Sequence, residues 1–223
     1  MDAEKERVPR QAVPPPIYPI TPDVLEGEDL SSWISAILES GARWIQYRRK
    51  RLEDALRLRE IEGIMRAAEP YGARILVDDR CDLCLACGAH GVHLGQDDLP
   101  PRVARELLGS DALIGLSTHD AGQARAAGAE PVDYIALGPL RESRTKMRAH
   151  GVVPGTTRRE VLGEAVPPVV GIGGIGPDDA ARFWAEGFQS VAVIGALASN
   201  PSAGWAAFMA RWGSPSPGGG AGE

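Results

Sequence analysis

Four groups of residues combine types and spacing that could do chemistry. The run Gln46-Tyr47-Arg48-Arg49-Lys50 closes a short apolar stretch. A strand alternates its side chains, so Gln46, Arg48 and Lys50 would share one side and offer an amide and two cations to a polyanion such as a pyrophosphate. Asp78-Asp79 and Asp97-Asp98 each follow a further apolar run. If those runs are neighbouring strands about 4.8 Å apart, one carboxylate from each reaches a common Mg2+, and substrate phosphates supply other ligands. Glycines in Gly171-Ile172-Gly173-Gly174-Ile175 and Val193-Ile194-Gly195-Ala196 would let backbone N–H groups approach phosphate oxygens. Ser117-Thr118-His119 and Ser143-Arg144-Thr145-Lys146 add hydroxyl and ammonium groups. Each group also has a plain structural alternative: helix capping by Asp, Ser or Thr, and a solvated basic loop at Arg49 and Arg51.

These groups need a frame that gathers the ends of separate elements. Eight apolar runs begin at Ile17, Trp44, Arg74, Gly91, Ala112, Tyr134, Val169 and Ser190. They are short and mostly rich in Val, Ile or Leu, as strands covered on both faces should be. Amphipathic stretches separate them, among them those starting at Leu30, Leu52 and Asp178. Such an alternation predicts one α/β domain, a (β/α)8 barrel over residues 17–212, with an open doubly wound sheet as the alternative. Barrel chemistry sits at the C-terminal strand ends, and phosphate often lies between the loops after strands seven and eight. The Pro-rich residues 1–16 and the Gly, Pro and Ser-rich residues 213–223 are expected to be disordered tails.

Composition narrows the partners. A net charge of −6 and a pI near 5.3 give no global attraction to nucleic acid or acidic lipid, so an anionic ligand needs local positive groups. Only Lys5, Lys50 and Lys146 are lysine among 24 Lys and Arg, which singles out the two internal lysines as compact point charges. No apolar window reaches membrane-span length, and residues 1–16 lack a signal-peptide apolar run. The expectation is a cytoplasmic protein acting on small molecules, without nucleic acid or membrane partners and with self-association left open. Cys81, Cys84 and Cys87 fit one packed helix face or, with His90 or His93, a metal or iron–sulfur set. Valine-flanked His93 is expected to point into packed structure.

With these motifs in order, the chain resembles the thiamine-phosphate synthase family. The matching pieces are IYPIT, QYRRK, the Asp79 turn, GVHLGQDDLP, GLSTH, YIALGP ending in SRTK, GIGGI and VAVIGA. The resemblance implies a (β/α)8 barrel and a Mg2+-dependent transferase. Its reaction joins 4-amino-2-methyl-5-(diphosphooxymethyl)pyrimidine to 4-methyl-5-(2-phosphooxyethyl)thiazole, giving thiamine phosphate and pyrophosphate. Carried over by motif, it implies that Gln46, Tyr47, Arg48, Arg49, Lys50, Asp78, Ser117 and Lys146 hold the pyrimidine diphosphate. Arg48, Lys50 and Lys146 would stabilise the departing anion, and Asp79 and Asp98 would bind the metal. Ser143, Arg144, Thr145, Gly174, Ile194 and Gly195 would hold the thiazole phosphate.

The chain departs from the family pattern at several positions. Asp78 stands where Asn is usual, adding negative charge that Mg2+ or Arg80 would have to offset. Ser143 replaces Thr, Gly195 replaces Ser, and Leu140-Arg141-Glu142 replaces a more apolar, Pro-containing stretch. Two alternative functions follow: a thiazole tautomerase-like isomerase using His119 as acid and base, and a non-catalytic thiamine-phosphate-binding paralogue.

Overall fold

The computed structural model describes residues 13–142, 151–164 and 166–213. Its eight strands are β1 (Ile17–Pro19), β2 (Trp44–Tyr47), β3 (Arg74–Asp78), β4 (Gly91–Leu94), β5 (Leu113–Thr118), β6 (Tyr134–Leu137), β7 (Val169–Ile172) and β8 (Ser190–Val193). Each begins within one residue of an apolar run read from the sequence. The helices are α1 (Gly27–Glu39), α2 (Asp54–Ala68), α3 (Cys81–Cys87), α4 (Pro101–Leu108), α5 (Ala121–Ala127), α6 (Gly155–Gly163), α7 (Ala180–Glu186), α8 (Gly195–Ala198) and α9 (Pro201–Met209).

All paired strands are parallel, in the order β1-β8-β7-β6-β5-β4-β3-β2. The ring closes where Ile20 bridges Gln46 and Thr21 N donates to Gln46 O at 2.9 Å. The Thr21 hydroxyl continues the seam, accepting from Arg48 N at 2.8 Å and donating to Arg48 O at 3.1 Å. A sheet that returns to its first strand is a barrel, so the open doubly wound sheet is excluded. Pro16, read from sequence as tail, already joins the frame by accepting from Val191 N at 3.0 Å.

Strand alternation sorts the apolar residues into two layers. Ile17, Ile45, Ile75 and Ile135 face the helices, whereas their neighbours Tyr18, Trp44, Leu76 and Ala136 fill the barrel. The Tyr18, Trp44 and Tyr134 rings meet with centroids 5.6–5.9 Å apart. Gly115 makes room for them: a Cβ there would lie 2.1 Å from Tyr134 Cζ and 2.5 Å from His93 Nδ1.

The helices follow the same burial logic. In α1, Leu30, Trp33, Ile34, Ile37 and Leu38 form the buried stripe. The helix starts at Gly27, before the apolar stretch, with Glu28 and Asp29 in the first turn where the helix dipole favours anions. The stretch from Asp178 divides into a 3₁₀ turn at Pro177–Asp179 and α7. No described helix is long and apolar enough to cross a membrane.

One ion pair locks α6 to α7. Arg158, 7% exposed, donates to Glu186 through Nε at 2.7 Å and Nη2 at 3.1 Å, and to Val153 O at 2.9 Å. Burial opposes ionisation of Glu186, but hydrogen bonds from Arg158 and Arg182 outweigh it and hold the carboxyl below its ordinary pKa. A depressed folded pKa contributes stability above the unfolded value and loses it as pH falls through the folded one. Glu186→Gln should therefore cost about 1–3 kcal/mol at neutral pH, and the gap to wild type should narrow below about pH 4.3. Urea denaturation of both chains at pH 7 and in acid checks both statements.

Candidate active site

Three polar residues leaving β2 converge on one carboxylate of the next strand. Gln46 Nε2 donates to Asp78 Oδ1 at 3.1 Å, Lys50 Nζ lies 2.8 Å from Asp78 Oδ2, and Arg48 Nε lies 3.5 Å from the same oxygen. Lys50 also hydrogen-bonds Asp79, and Arg48 pairs with Asp23. Burial pushes the Asp78 carboxyl up in pKa, and the Asp79 charge adds to this against the opposing pull of Lys50 and Arg48. Burial works against the Lys50 ammonium, yet Asp78 and Asp79 hold its pKa above the ordinary lysine value.

Tyr47 and Arg49 take the other side of the alternation. Tyr47 Oη donates to Glu60 Oε2 of α2 at 2.7 Å, and Arg49 Nε lies 3.5 Å from that oxygen. Arg49 also donates to Asp23 O at 2.9 Å and to Leu25 O. It is 7% exposed, so the solvated loop read from the sequence is corrected to a buried anchor between α2 and the β1–α1 loop. The period-two rule that turns Gln46 and Arg48 toward Asp78 turns these two away from it. Arg80 likewise does not offset Asp78: it makes paired hydrogen bonds to Asp54, at 3.0 and 2.8 Å, and to Asp82, at 2.8 and 2.6 Å.

A short step along the rim, Asp79 adopts φ 61°, a left-handed conformation that Asp tolerates better than most residues. Its N–H donates to His93 O at 2.8 Å, tying the turn to β4. Asp79 and Asp98 line one cavity, and Asp98 Oδ2 accepts from Gly95 N at 2.7 Å. Burial raises the Asp98 pKa, and the neighbouring Asp79 charge raises it further. Two neighbouring carboxylates repel, so this pair suits a divalent ion. Among the described residues no group of three His, Cys, Asp or Glu could hold a metal. A cation here would take two protein carboxylates and complete its shell with water and phosphate oxygens, the pattern Mg2+ favours. A cavity of about 240 Å³ is lined by Lys50, Asp78, Asp79 and Asp98, and also by Tyr47 and Arg49.

Beneath the mouth runs a buried polar chain. Ser117 Oγ lies 2.9 Å from His93 Nε2, His93 Nδ1 lies 2.9 Å from Tyr134 Oη, and Tyr134 Oη lies 3.0 Å from Tyr18 Oη. Neither Ser117 nor Thr118 caps α5; Asp120 does, accepting from Gln123 N at 2.8 Å. Thr118 instead donates to Ala136 O at 3.2 Å, and His119 Nδ1 lies 2.6 Å from Gly138 O.

Across the mouth, Gly174 has φ 68°, and a Cβ there would lie 2.4 Å from Glu142 O. The chain after β6 is pinned to this loop, with Leu140 N donating to Ile172 O at 2.8 Å and Arg141 N to Gly173 O at 3.0 Å. Ile194 packs beside the barrel interior, and Gly195 opens α8. A Cβ on Gly195 would meet nothing within 4 Å, so packing does not demand the glycine there. Ser143, Arg144, Thr145 and Lys146 lie outside the described residues.

The cysteines are free thiols on α3. Cys84 donates to Gly91 O at 3.3 Å, and burial pushes its pKa up to about 12. His90 Nδ1 accepts from Ile75 N at 3.0 Å and is thereby committed to the backbone. Sequence reasoning did not single out Asp23, Glu60 or Gln96. Asp23 pairs with Arg48, Glu60 accepts from Tyr47, and Gln96 Nε2 donates to Ser117 O at 2.6 Å. The one available signal was the position of Asp23, two residues beyond the first apolar run's Thr21.

Residues 17–197 match the family model described as thiamine monophosphate synthase. The chain belongs to this family. It is 45% identical over 186 residues to the thiamine biosynthesis bifunctional protein ThiM/ThiE of Symbiobacterium thermophilum, covering 83% of this chain and 37% of that one. It is 40% identical over 192 residues to the thiamine-phosphate synthase of Thioalkalivibrio sulfidiphilus, covering 83% of this chain and 88% of that one. The chain thus spans from 37% to 88% of the length of these curated relatives. Among solved structures, thiamine phosphate pyrophosphorylase from Pyrococcus furiosus superposes with a TM-score of 0.79 at 28% identity, covering 91% of this chain and 96% of that one.

Proposed function

We propose that this member of the family is a thiamine-phosphate synthase, joining the pyrimidine diphosphate to the thiazole phosphate with release of pyrophosphate. The observation that carries this reading is the convergence of Gln46, Arg48 and Lys50 on Asp78, beside the Asp79–Asp98 pair. An amide and two cations suit a diphosphate ester, and the neighbouring carboxylates suit the Mg2+ that would accompany it. When bound there through Asp79 and Asp98, Mg2+ would supply positive charge to the diphosphate oxygens.

Arg48 and Lys50 stabilise the negative charge that grows on the diphosphate as the bond from the pyrimidine methylene carbon to oxygen breaks. Lys50, paired with Asp78 and Asp79, exchanges part of that contact for phosphate. The aminopyrimidine delocalises the positive charge left on the carbon, and the thiazole nitrogen forms the new bond there. No protein nucleophile is needed, so holding the two heterocycles in line supplies much of the rate. Gln46 fixes the pyrimidine side, with Ser117 oriented by His93 and Gln96. Gly174, Ile194 and Gly195 receive the thiazole phosphate together with Ser143, Arg144 and Thr145, while Lys146 joins the diphosphate. The substrates are small molecules, and a cytoplasmic location suits such a biosynthetic role.

Incubation with both heterocycles and Mg2+ should yield equal amounts of pyrophosphate and thiamine phosphate, read by a coupled assay. Isomerisation of the thiazole carboxylic acid without pyrophosphate would assign the chain to the tautomerase class instead. Tight binding of thiamine phosphate with no turnover at any Mg2+ concentration would make it a binding paralogue.

A further inference from the structure

The backbone donors proposed for the thiazole phosphate sit near a carbonyl oxygen and a carboxylate. Gly174 is exposed and touches the Glu142 backbone, and the following turn carries Asp179, whose Oδ2 accepts from Gly176 N at 3.1 Å. A phosphate dianion entering that corner needs compensating positive charge. Arg141 lies across it. Its N–H donates to Gly173 O at 3.0 Å, and a Cβ on Gly174 would lie 2.9 Å from Arg141 Cβ, so the stem is fixed against the glycine loop. Its Nη1 lies 3.5 Å from Asp179 Oδ1, with the side chain 50% exposed. An ion pair that long and that solvated holds the guanidinium only weakly. The planar fork carries five donors, enough to keep Asp179 and still face a phosphate two oxygens at a time.

We propose that Arg141 binds the phosphate of the thiazole substrate and makes the site discriminate phosphorylated from unphosphorylated thiazole by charge. The inference rests on the transferase reading and extends it to a residue outside the motifs that resemble the family. Arg141 acts on the second substrate only.

Calorimetric titration of the full-length protein with the thiazole phosphate and with the corresponding thiazole alcohol tests this directly. Arg141→Ala and Arg141→Gln should each weaken the phosphate form by about ten- to a hundredfold, the range for a charge-assisted hydrogen bond. Both should leave affinity for the alcohol unchanged. Wild-type affinity for the phosphate form should also fall more steeply with added salt than that of either variant. Equal weakening of both ligands would reduce Arg141 to a structural role, and unchanged affinity for the phosphate form would overturn the inference outright. Wild-type protein that shows the Arg141-dependent preference yet releases no pyrophosphate with both substrates would sink the transferase reading while supporting the role of Arg141. Wild-type protein that binds neither thiazole would sink both.

Discussion

Arg48→Ala should lower kcat/KM for pyrophosphate release by about 10²–10³-fold, the loss associated with removing one preorganised donor to a developing anion. The guanidinium is buried against Asp23 and Asp78, and the neighbouring Lys50 is already engaged by Asp78 and Asp79, so it does not replace the lost contacts to Asp23. The fold should survive, because barrel closure uses the Arg48 backbone: its N–H and C=O bond to the Thr21 hydroxyl at 2.8 and 3.1 Å. Some stability is lost as Asp23 and Asp78 lose a partner, about 1–3 kcal/mol by urea denaturation. Arg48→Lys should recover little activity, since an ammonium cannot face Asp23, Asp78 and a phosphate with a planar set of donors. Near-wild-type pyrophosphate release by the alanine variant would remove Arg48 from the mechanism.

The second large effect is on metal demand. Asp79→Asn should raise the Mg2+ concentration for half-maximal turnover by more than about tenfold, as one of two charged ligands becomes neutral. Asparagine suits the test because it also accepts the left-handed conformation at φ 61°, which alanine would strain. The N–H to His93 O hydrogen bond should therefore persist. With the Asp79 charge gone, the Asp98 carboxyl should titrate closer to an ordinary aspartate, because the Asp79 charge is among the causes that raise its pKa, after burial. A Mg2+ titration of turnover, paired with direct Mn2+ binding to the substrate-free protein, checks the assignment. Unchanged curves in both would exclude Asp79 as a ligand.

These two residues show different degrees of legibility. Arg48 could be placed on a shared face with Gln46 and Lys50 from spacing alone, since strand alternation is a local property of the backbone. What it faces could not: Asp23 lies 25 residues away, and Asp78 30 residues away, brought near only when β1 and β3 flank β2. Arg49 marks the same boundary. Its charge suggested solvent, whereas Glu60 and backbone carbonyls make a buried position favourable for it. At the end of β5, Ser117 and Thr118 were as good candidates for the helix cap as Asp120, and the chain's exit from β5 decided among them.

The sequence alone determined the eight-fold strand and helix alternation, the shared side of Gln46, Arg48 and Lys50, and the clustering of charge at strand ends. All of these depend on residues within a few positions of one another, where sterics and periodic burial act directly. Tertiary structure alone decided which carboxylate meets which cation, that Asp79 turns left-handed and shares a cavity with Asp98, and that His93 supports Ser117 from below. Those contacts depend on the register of parallel strands around a closed ring, which the packing of all eight sets together and no single segment encodes.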